Sequence, residues 1–280
     1  MRKSGYSFLS TPVLGRVVLF LFRGKKSLTY LSKQVWYQIK WLFGSREATN
    51  YTYNLEENNK RYLASLISEV LDVEVSSIVS YIDEVEGDKE LKQHILDATK
   101  GNDFSFMADQ EVRFGRRIGW YAIVRAKKPK VVIETGVDKG LGACVLAAAL
   151  KRNKAEGHAG EYYGTDIDLN AGYLLSGDYS ENGRILYGDS IESLSKFDHK
   201  IDLFINDSDH SAEYEAEEYK VIAKKLSEDA IILGDNSHVT DKLLNFSLET
   251  NRNFVFFQEK PLAHWYPGAG IGISFKRFAR

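Results

Sequence analysis

The sequence predicts an α/β fold for its larger, C-terminal part: a seven-stranded, mostly parallel sheet with helices on both faces, preceded by a helical N-terminal region. Three observations carry this. From about Asp109 onward, short apolar runs alternate with stretches of helical periodicity, the pattern of a parallel sheet covered on both sides. Glycine- and acid-rich turns follow several of those runs, where ligands bind in such sheets. At 280 residues, 44% hydrophobic and 27% charged, the chain can bury a sizeable core and has the composition of a soluble globular protein.

Three regions follow from the composition along the chain. Residues 1–50 hold nine basic side chains and one acid, Glu47, which leaves 28 basic and 38 acidic residues in the remainder. The net charge of −2 thus hides two parts suited to different surroundings, and it argues against a general nucleic-acid binder. Leu28, Leu31, Val35, Ile39 and Leu42 fall at helical spacing, with Trp36 and Phe43 widening the stripe and Lys26, Lys33 and Lys40 lying elsewhere on the surface. Such a basic amphipathic helix suits either an anionic membrane surface, through residues 17–43, or a packing face within the chain or across a homo-oligomer. The apolar run from Val17 to Phe22, fenced by Arg16 and Arg23, is too short to cross a bilayer. No small-residue cleavage site of a secretory signal follows it. A single cysteine, Cys144, allows no internal disulfide, and its apolar setting reads as packing. Together these predict a cytoplasmic protein, at most peripheral to a membrane.

Residues 51–108 stay helical and turn acidic. Tyr62, Leu66, Ile67, Val70 and Leu71 make one stripe, Ile78, Val79 and Ile82 another, and Gly87-Asp88 and Gly101-Asn102 mark turns. A small helical subdomain without catalytic residues is expected here.

Residues 109–280 form the sheet domain. A helical pattern through Ile118, Tyr121 and Val124 stops at Pro129. Strands are predicted at Lys130–Thr135, Glu161–Asp166, Gly183–Gly188, Ile201–Asn206, Ala230–Gly234, Asn253–Gln258 and Gly270–Phe275. Helices are predicted at Leu141–Lys151, Ile191–Phe197, Glu213–Leu226 and Thr240–Thr250.

The strand ends carry the chemistry. The first runs through Glu134 into Thr135-Gly136-Val137-Asp138-Lys139-Gly140-Leu141-Gly142, where Gly136 and Gly140 can take positive φ ahead of a helix N-terminus. The turn lacks the Gly-Lys-Ser/Thr ending of a nucleotide P-loop and the Gly-x-Gly-x-x-Gly spacing of dinucleotide enzymes. The second strand delivers Asp166 and Asp168; a carboxylate there can accept from both hydroxyls of a ribose, or can brace a turn. The third delivers Asp189 and Ser190, which can face a ligand or cap the next helix. Strands four and five deliver Asp207-Ser208-Asp209-His210 and Asp235-Asn236-Ser237-His238. Asp207, Asp235 and Asn236 would offer hard oxygen ligands suited to Mg²⁺, or would serve as strand-end caps.

Glu134 before Gly136-x-x-x-Gly140 resembles motif I of class I S-adenosylmethionine-dependent methyltransferases, which have a Rossmann-like fold. Asp-Leu-Phe-Ile-Asn-Asp followed, 28 residues on from Asp207, by Asp235-Asn236 is similar to the metal-binding pattern of catechol O-methyltransferases and of antibiotic-sugar O-methyltransferases. The resemblance covers about Asp109 to the C terminus and implies that Glu134, Gly136, Gly140, Asp166, Asp189 and Ser190 hold S-adenosylmethionine. It implies that Asp207, Asp235 and Asn236 hold a divalent cation, Mg²⁺ by the oxygen ligands, that would acidify an acceptor hydroxyl. The catechol family's lysine is replaced by His210, and the acid used by the sugar enzymes corresponds to Asp209. Either of these takes the proton, with His238 a third candidate. The acceptor expected from the resemblance is a sugar or other small molecule. Two other classes share the fold: a nicotinamide-dependent oxidoreductase, for which no Tyr-x-x-x-Lys pair stands near strand five, and a non-catalytic scaffold that meets membranes through its N-terminal helices.

Overall fold

In a computed structural model that describes residues 12–47, 52–108, 111–209 and 211–276, the seven predicted strands join one sheet. They are β1 (Val131–Thr135), β2 (Glu161–Asp166), β3 (Gly183–Tyr187), β4 (Ile201–Asn206), β5 (Leu226–Gly234), β6 (Asn253–Gln258) and β7 (Gly270–Phe275), in the spatial order β3-β2-β1-β4-β5-β7-β6. The first five pair in parallel, and β7 is antiparallel to both β5 and β6. The order reverses between β1 and β4, so the tips of β1, β2, β4 and β5 share one edge, where a crevice is expected.

The helices are α1 (Pro12–Gly44), α2 (Glu57–Leu71), α3 (Val75–Glu86), α4 (Lys89–Lys100), α5 (Arg117–Lys127), α6 (Leu141–Ala155), α7 (Ser190–Lys196), α8 (Ala212–Ile222) and α9 (Lys242–Glu249). Boundaries move where backbone pairing overrides side-chain character. β5 begins at Leu226, ahead of the predicted Ala230, because Leu226 pairs with Ile201 across a register shift and the polar Ser227-Glu228-Asp229 is carried along. The same pairing ends α8 early, where Ile201 donates its N–H to the Lys225 carbonyl. α5 stops at Lys127, and Lys128 turns left-handed just before Pro129.

Two compact units are distinguished: Met1–Ser45 with Ala263–Tyr266, and Arg46–Leu262 with Pro267–Arg280. In the larger unit, α6 is buried from Gly142 to Leu150, which explains its apolar and small residues and accounts for Cys144. Burial pushes the Cys144 thiol well up, and its sulfur donates to the Leu174 carbonyl at 2.9 Å. On the other side of the sheet Ile133, Phe204, Tyr219, Ile222, Ile232 and Phe246 form the core. The helices α2–α4 share this unit: Leu63, Ile67, Ile78, Ile82 and Leu91 are buried, and α2 and α3 pack on α5. Arg125 of α5 fixes that packing, donating to Glu84 of α3 at 2.7 Å, to Glu156 at 2.6 Å, and to Asn153 of α6.

In the smaller unit α1 runs unbroken for 33 residues, and Trp41 meets Trp265 edge-on at 5.2 Å between ring centroids. No helix among the described residues is long and apolar enough to cross a membrane.

Candidate active site at the strand tips

The turn after β1 is built by close backbone approach. Gly136 has φ +79°, and a Cβ there would lie 2.0 Å from the Asp207 carbonyl oxygen, so only glycine lets the β1 and β4 tips meet. The Asp207 N–H donates to the Thr135 carbonyl and the Gly136 N–H to the Thr165 carbonyl, tying the tips of β4, β1 and β2 together. Gly140, at φ +95°, caps the start of α6 and is approached by the backbone of Gly172. Both glycines thus admit other parts of the chain at close range.

Each acid predicted to hold a cofactor has a structural partner. Glu134 is turned into the interior and accepts from the Tyr162 hydroxyl at 2.5 Å; burial pushes its carboxyl up to about 7. From there it buttresses the turn without reaching the surface. Asp166 accepts the N–H groups of Val137 and Asp138 on one oxygen, at 3.0 and 2.9 Å, and that of Asp168 on the other, at 2.9 Å. A carboxylate oxygen has two lone pairs, so these bonds orient Asp166 and leave acceptor capacity. Asp189 caps α7 by accepting from the Glu192 N–H and also takes the Tyr214 hydroxyl, both at 2.9 Å. Buried Ser190 donates to Glu218.

Glu218, on α8, escaped the sequence reading. It accepts from Thr135 at 3.1 Å and Ser208 at 2.9 Å, and also from Asn206 and Ser190, stitching together the ends of β1, β3 and β4. Burial pushes its carboxyl up to about 7 against the opposing pull of those bonds. The only hint in the sequence was an acid on the face of α8 that carries Tyr219 and Ile222 toward the core.

Asp207 and Asp235 do come together, as predicted from neighbouring strands, but around an arginine. Arg116, the residue before α5, sets its Nε against Asp235, its Nη2 3.9 Å from Asp207 and its Nη1 3.9 Å from Glu259, which follows β6. The four side chains are nearly buried, and Glu259 also accepts from the Tyr53 hydroxyl at 2.7 Å. Burial and the charge of Asp235 push Asp207 well above the usual carboxylate range, and burial raises Glu259 as well. Burial alone would lower Arg116, but the charges of Asp235, Glu259 and Asp207 outweigh it and hold the guanidinium protonated.

This arrangement tests the expected Mg²⁺ site. A divalent cation needs a near-octahedral oxygen shell at about 2.1 Å. Here the Arg116 guanidinium lies against Asp235, and the buried oxygens Asp235 Oδ1 and Glu259 Oε1 face it without a hydrogen bond. The residues as arranged do not fit a metal ion. Among the described residues, no three His, Cys, Asp or Glu side chains are grouped to hold one. Arg116 and Glu259 were not singled out in the sequence, because neither lies in a motif; only the fold brings them to the tips of β4 and β5.

Of the candidate bases, Asp209 is exposed and accepts from the Ser211 N–H at 2.7 Å, ahead of α8. His210 and the side chain of Asn236 lie outside the described residues. His238 turns its Nδ1 back to the Asp235 carbonyl at 3.0 Å.

A cleft opens beside the glycine turn, with about 650 Å³ of empty space, part of it solvent. Val137, Asp138, Lys139 and Leu141 border it on the sheet side and Ile95 and Met107 on the helical side. Arg117, 6% exposed, also lines it, and its Nε has no hydrogen-bond partner.

Residues 133–237, which include the glycine turn, Asp166, Asp207 and Asp235, match the methyltransferase domain family. A cofactor-bound protein from MTB superposes with a TM-score of 0.50 at 14% identity, over 72% of this chain and 97% of that one, which shows a shared fold. An O-methyltransferase of Streptomyces achromogenes involved in tomaymycin synthesis, solved with S-adenosylmethionine, gives 0.49 at 12% identity, over 66% and 90%. An O-methyltransferase of Bacillus cereus, solved with S-adenosylhomocysteine, gives 0.46 at 12% identity, over 78% and 99%. No curated protein matches the chain by sequence.

Proposed function

We propose that the methyltransferase domain binds S-adenosylmethionine over the glycine turn and transfers its methyl group to a hydroxyl of a small molecule or sugar, with Arg116 in the place assigned by sequence to a metal. The observation that carries this reading is the turn itself. Gly136 to Gly140, inside the segment that matches the methyltransferase family, is braced by Asp166 and opens onto the cleft. The bound sulfonium supplies an activated methyl group; the chain's part is alignment and charge. Asp166, oriented by three backbone N–H groups, is placed to accept from ribose hydroxyls. Arg117, buried beside the cleft with a partnerless Nε, is placed to pair with the carboxylate of the cofactor's amino-acid end. Asp209, exposed beyond β4, and His210 are the groups placed by sequence to take the acceptor's proton.

Calorimetric titration of the purified chain with S-adenosylhomocysteine, first with Mg²⁺ and then with EDTA, tests both parts. The expected result is micromolar binding that EDTA leaves unchanged, with no binding of NADH. Binding abolished by EDTA would overturn the role given to Arg116. No binding under either condition would overturn the proposal as a whole.

A further inference from the structure

α1 leaves a continuous apolar stripe uncovered and carries charge of one sign only. We infer that α1 docks in the interface of an anionic lipid bilayer, lying parallel to its surface. Successive residues of a helix are about 100° apart. On that geometry Leu28, Leu31, Val35, Ile39 and Leu42 share one sector, and Lys26, Lys33 and Lys40 occupy the opposite one. The stripe residues are between 41% and 65% exposed, and Trp36 and Phe43 on its flank are 55% and 89% exposed. Within its own unit the ring contact to Trp265 is made by Trp41, which lies outside the stripe.

Charge decides between possible occupants. Arg16, Arg23, Lys25, Lys26, Lys33 and Lys40 are the ionisable charges of α1, which contains no Asp or Glu. A second copy of the same helix could cover the stripe, but coiled-coil pairs take partner and register from opposite charges flanking the seam, and α1 has one sign to offer. An anionic headgroup layer supplies the missing sign all along the helix while the acyl boundary takes the stripe. Lys40 already lies over the Trp36 ring, 5.7 Å from its centroid, so its stem can follow the ring while its ammonium stays at headgroup level. In the span from Val17 to Phe22, exposed Val17, Phe20 and Leu21 continue the same sector.

This inference is independent of the proposed chemistry and is tested on the full chain by flotation with vesicles. Vesicles of phosphatidylcholine mixed with phosphatidylserine should carry the chain, and vesicles of phosphatidylcholine alone should carry much less. Added salt should weaken the binding. The combined change Lys26→Glu, Lys33→Glu and Lys40→Glu should lower the bound fraction by about tenfold or more, since each cation near an anionic surface contributes to binding. Leu31→Gln, Val35→Gln and Ile39→Gln together should do the same, with helical content by circular dichroism unchanged in solution. Equal binding to both vesicle types, or none to either, would overturn the inference. So would a dimer in light scattering that the Gln variant dissociates while vesicles capture nothing, or a drop in thermal stability of the Gln variant, which would place the stripe in the chain's own core.

Discussion

At the scale of single residues, the site is organised by carboxyl groups that touch protein and not solvent. Glu134 and Glu218 each sit under the strand tips, each is pushed up to about 7, and burial is the leading cause in both. A carboxyl raised in the folded state keeps its proton there while the unfolded chain has released it. Its contribution to stability is therefore whole below the ordinary carboxylate range and is lost as pH rises toward about 7. Glu134→Gln separates this effect from packing, because the amide oxygen can still accept from Tyr162. Wild-type stability should fall with pH across that window, by at most about 1.4 kcal/mol per pH unit for each such group. The variant should show a shallower fall, with the residual slope due to Glu218. Urea midpoints measured from pH 4 to pH 8 check this, and parallel slopes in the two proteins would show that Glu134 titrates normally.

At the scale of elements, what holds the site is the meeting of strand tips, and this separates what the sequence discloses from what it hides. The strands were legible because apolar runs of their length mean a buried parallel sheet, and six of the seven begin and end within a residue of the predicted positions. The glycine turn and the acids after β2, β4 and β5 were legible as strand-end residues. Their partners were not, because periodicity says which face a residue occupies and nothing about which distant residue meets it. Arg116 lies 91 positions before Asp207, at the mouth of a different helix, yet it is the cation set against Asp235 and facing Asp207. Glu218 and Glu259 were hidden in the same way. Gly136→Ala tests the turn as an element. The substitution forces a side chain into φ +79° and against the Asp207 carbonyl, so it should cost at least about 2 kcal/mol. Because the displaced backbone also carries Val137 and Asp138 away from Asp166, binding of S-adenosylhomocysteine should weaken together with the urea midpoint. Unchanged affinity in a destabilised variant would detach the turn from the cofactor.

At the scale of the molecule, the helices α2–α4 and the sheet belong to one compact unit, and Arg125 is one of the polar contacts that join α3 to the sheet-covering helices. Its side chain is 4% exposed, and its donors go to Glu84 on α3, to Asn153 on α6 and to Glu156 just beyond α6. Removing one partner of such a buried pair strands the others: Asn153, fully buried, would lose the donor to its Oδ1, and Glu84 would keep its charge with Tyr121 and the more exposed Arg152 for company. Arg125→Met preserves the apolar stem that lies against the Tyr81 ring and deletes only the guanidinium. It should destabilise the larger unit by about 3 kcal/mol, the lower end for breaking a buried ion pair, since Glu156 can turn to water. The decisive readout is the number of transitions. If helices and sheet share one core, tryptophan fluorescence (dominated in this unit by Trp120 of α5) and far-ultraviolet circular dichroism should shift to lower urea together, as a single transition in both proteins. Two separated transitions in the variant would mean that α2–α4 fold as a subdomain of their own and that Arg125 merely fastens them to the sheet.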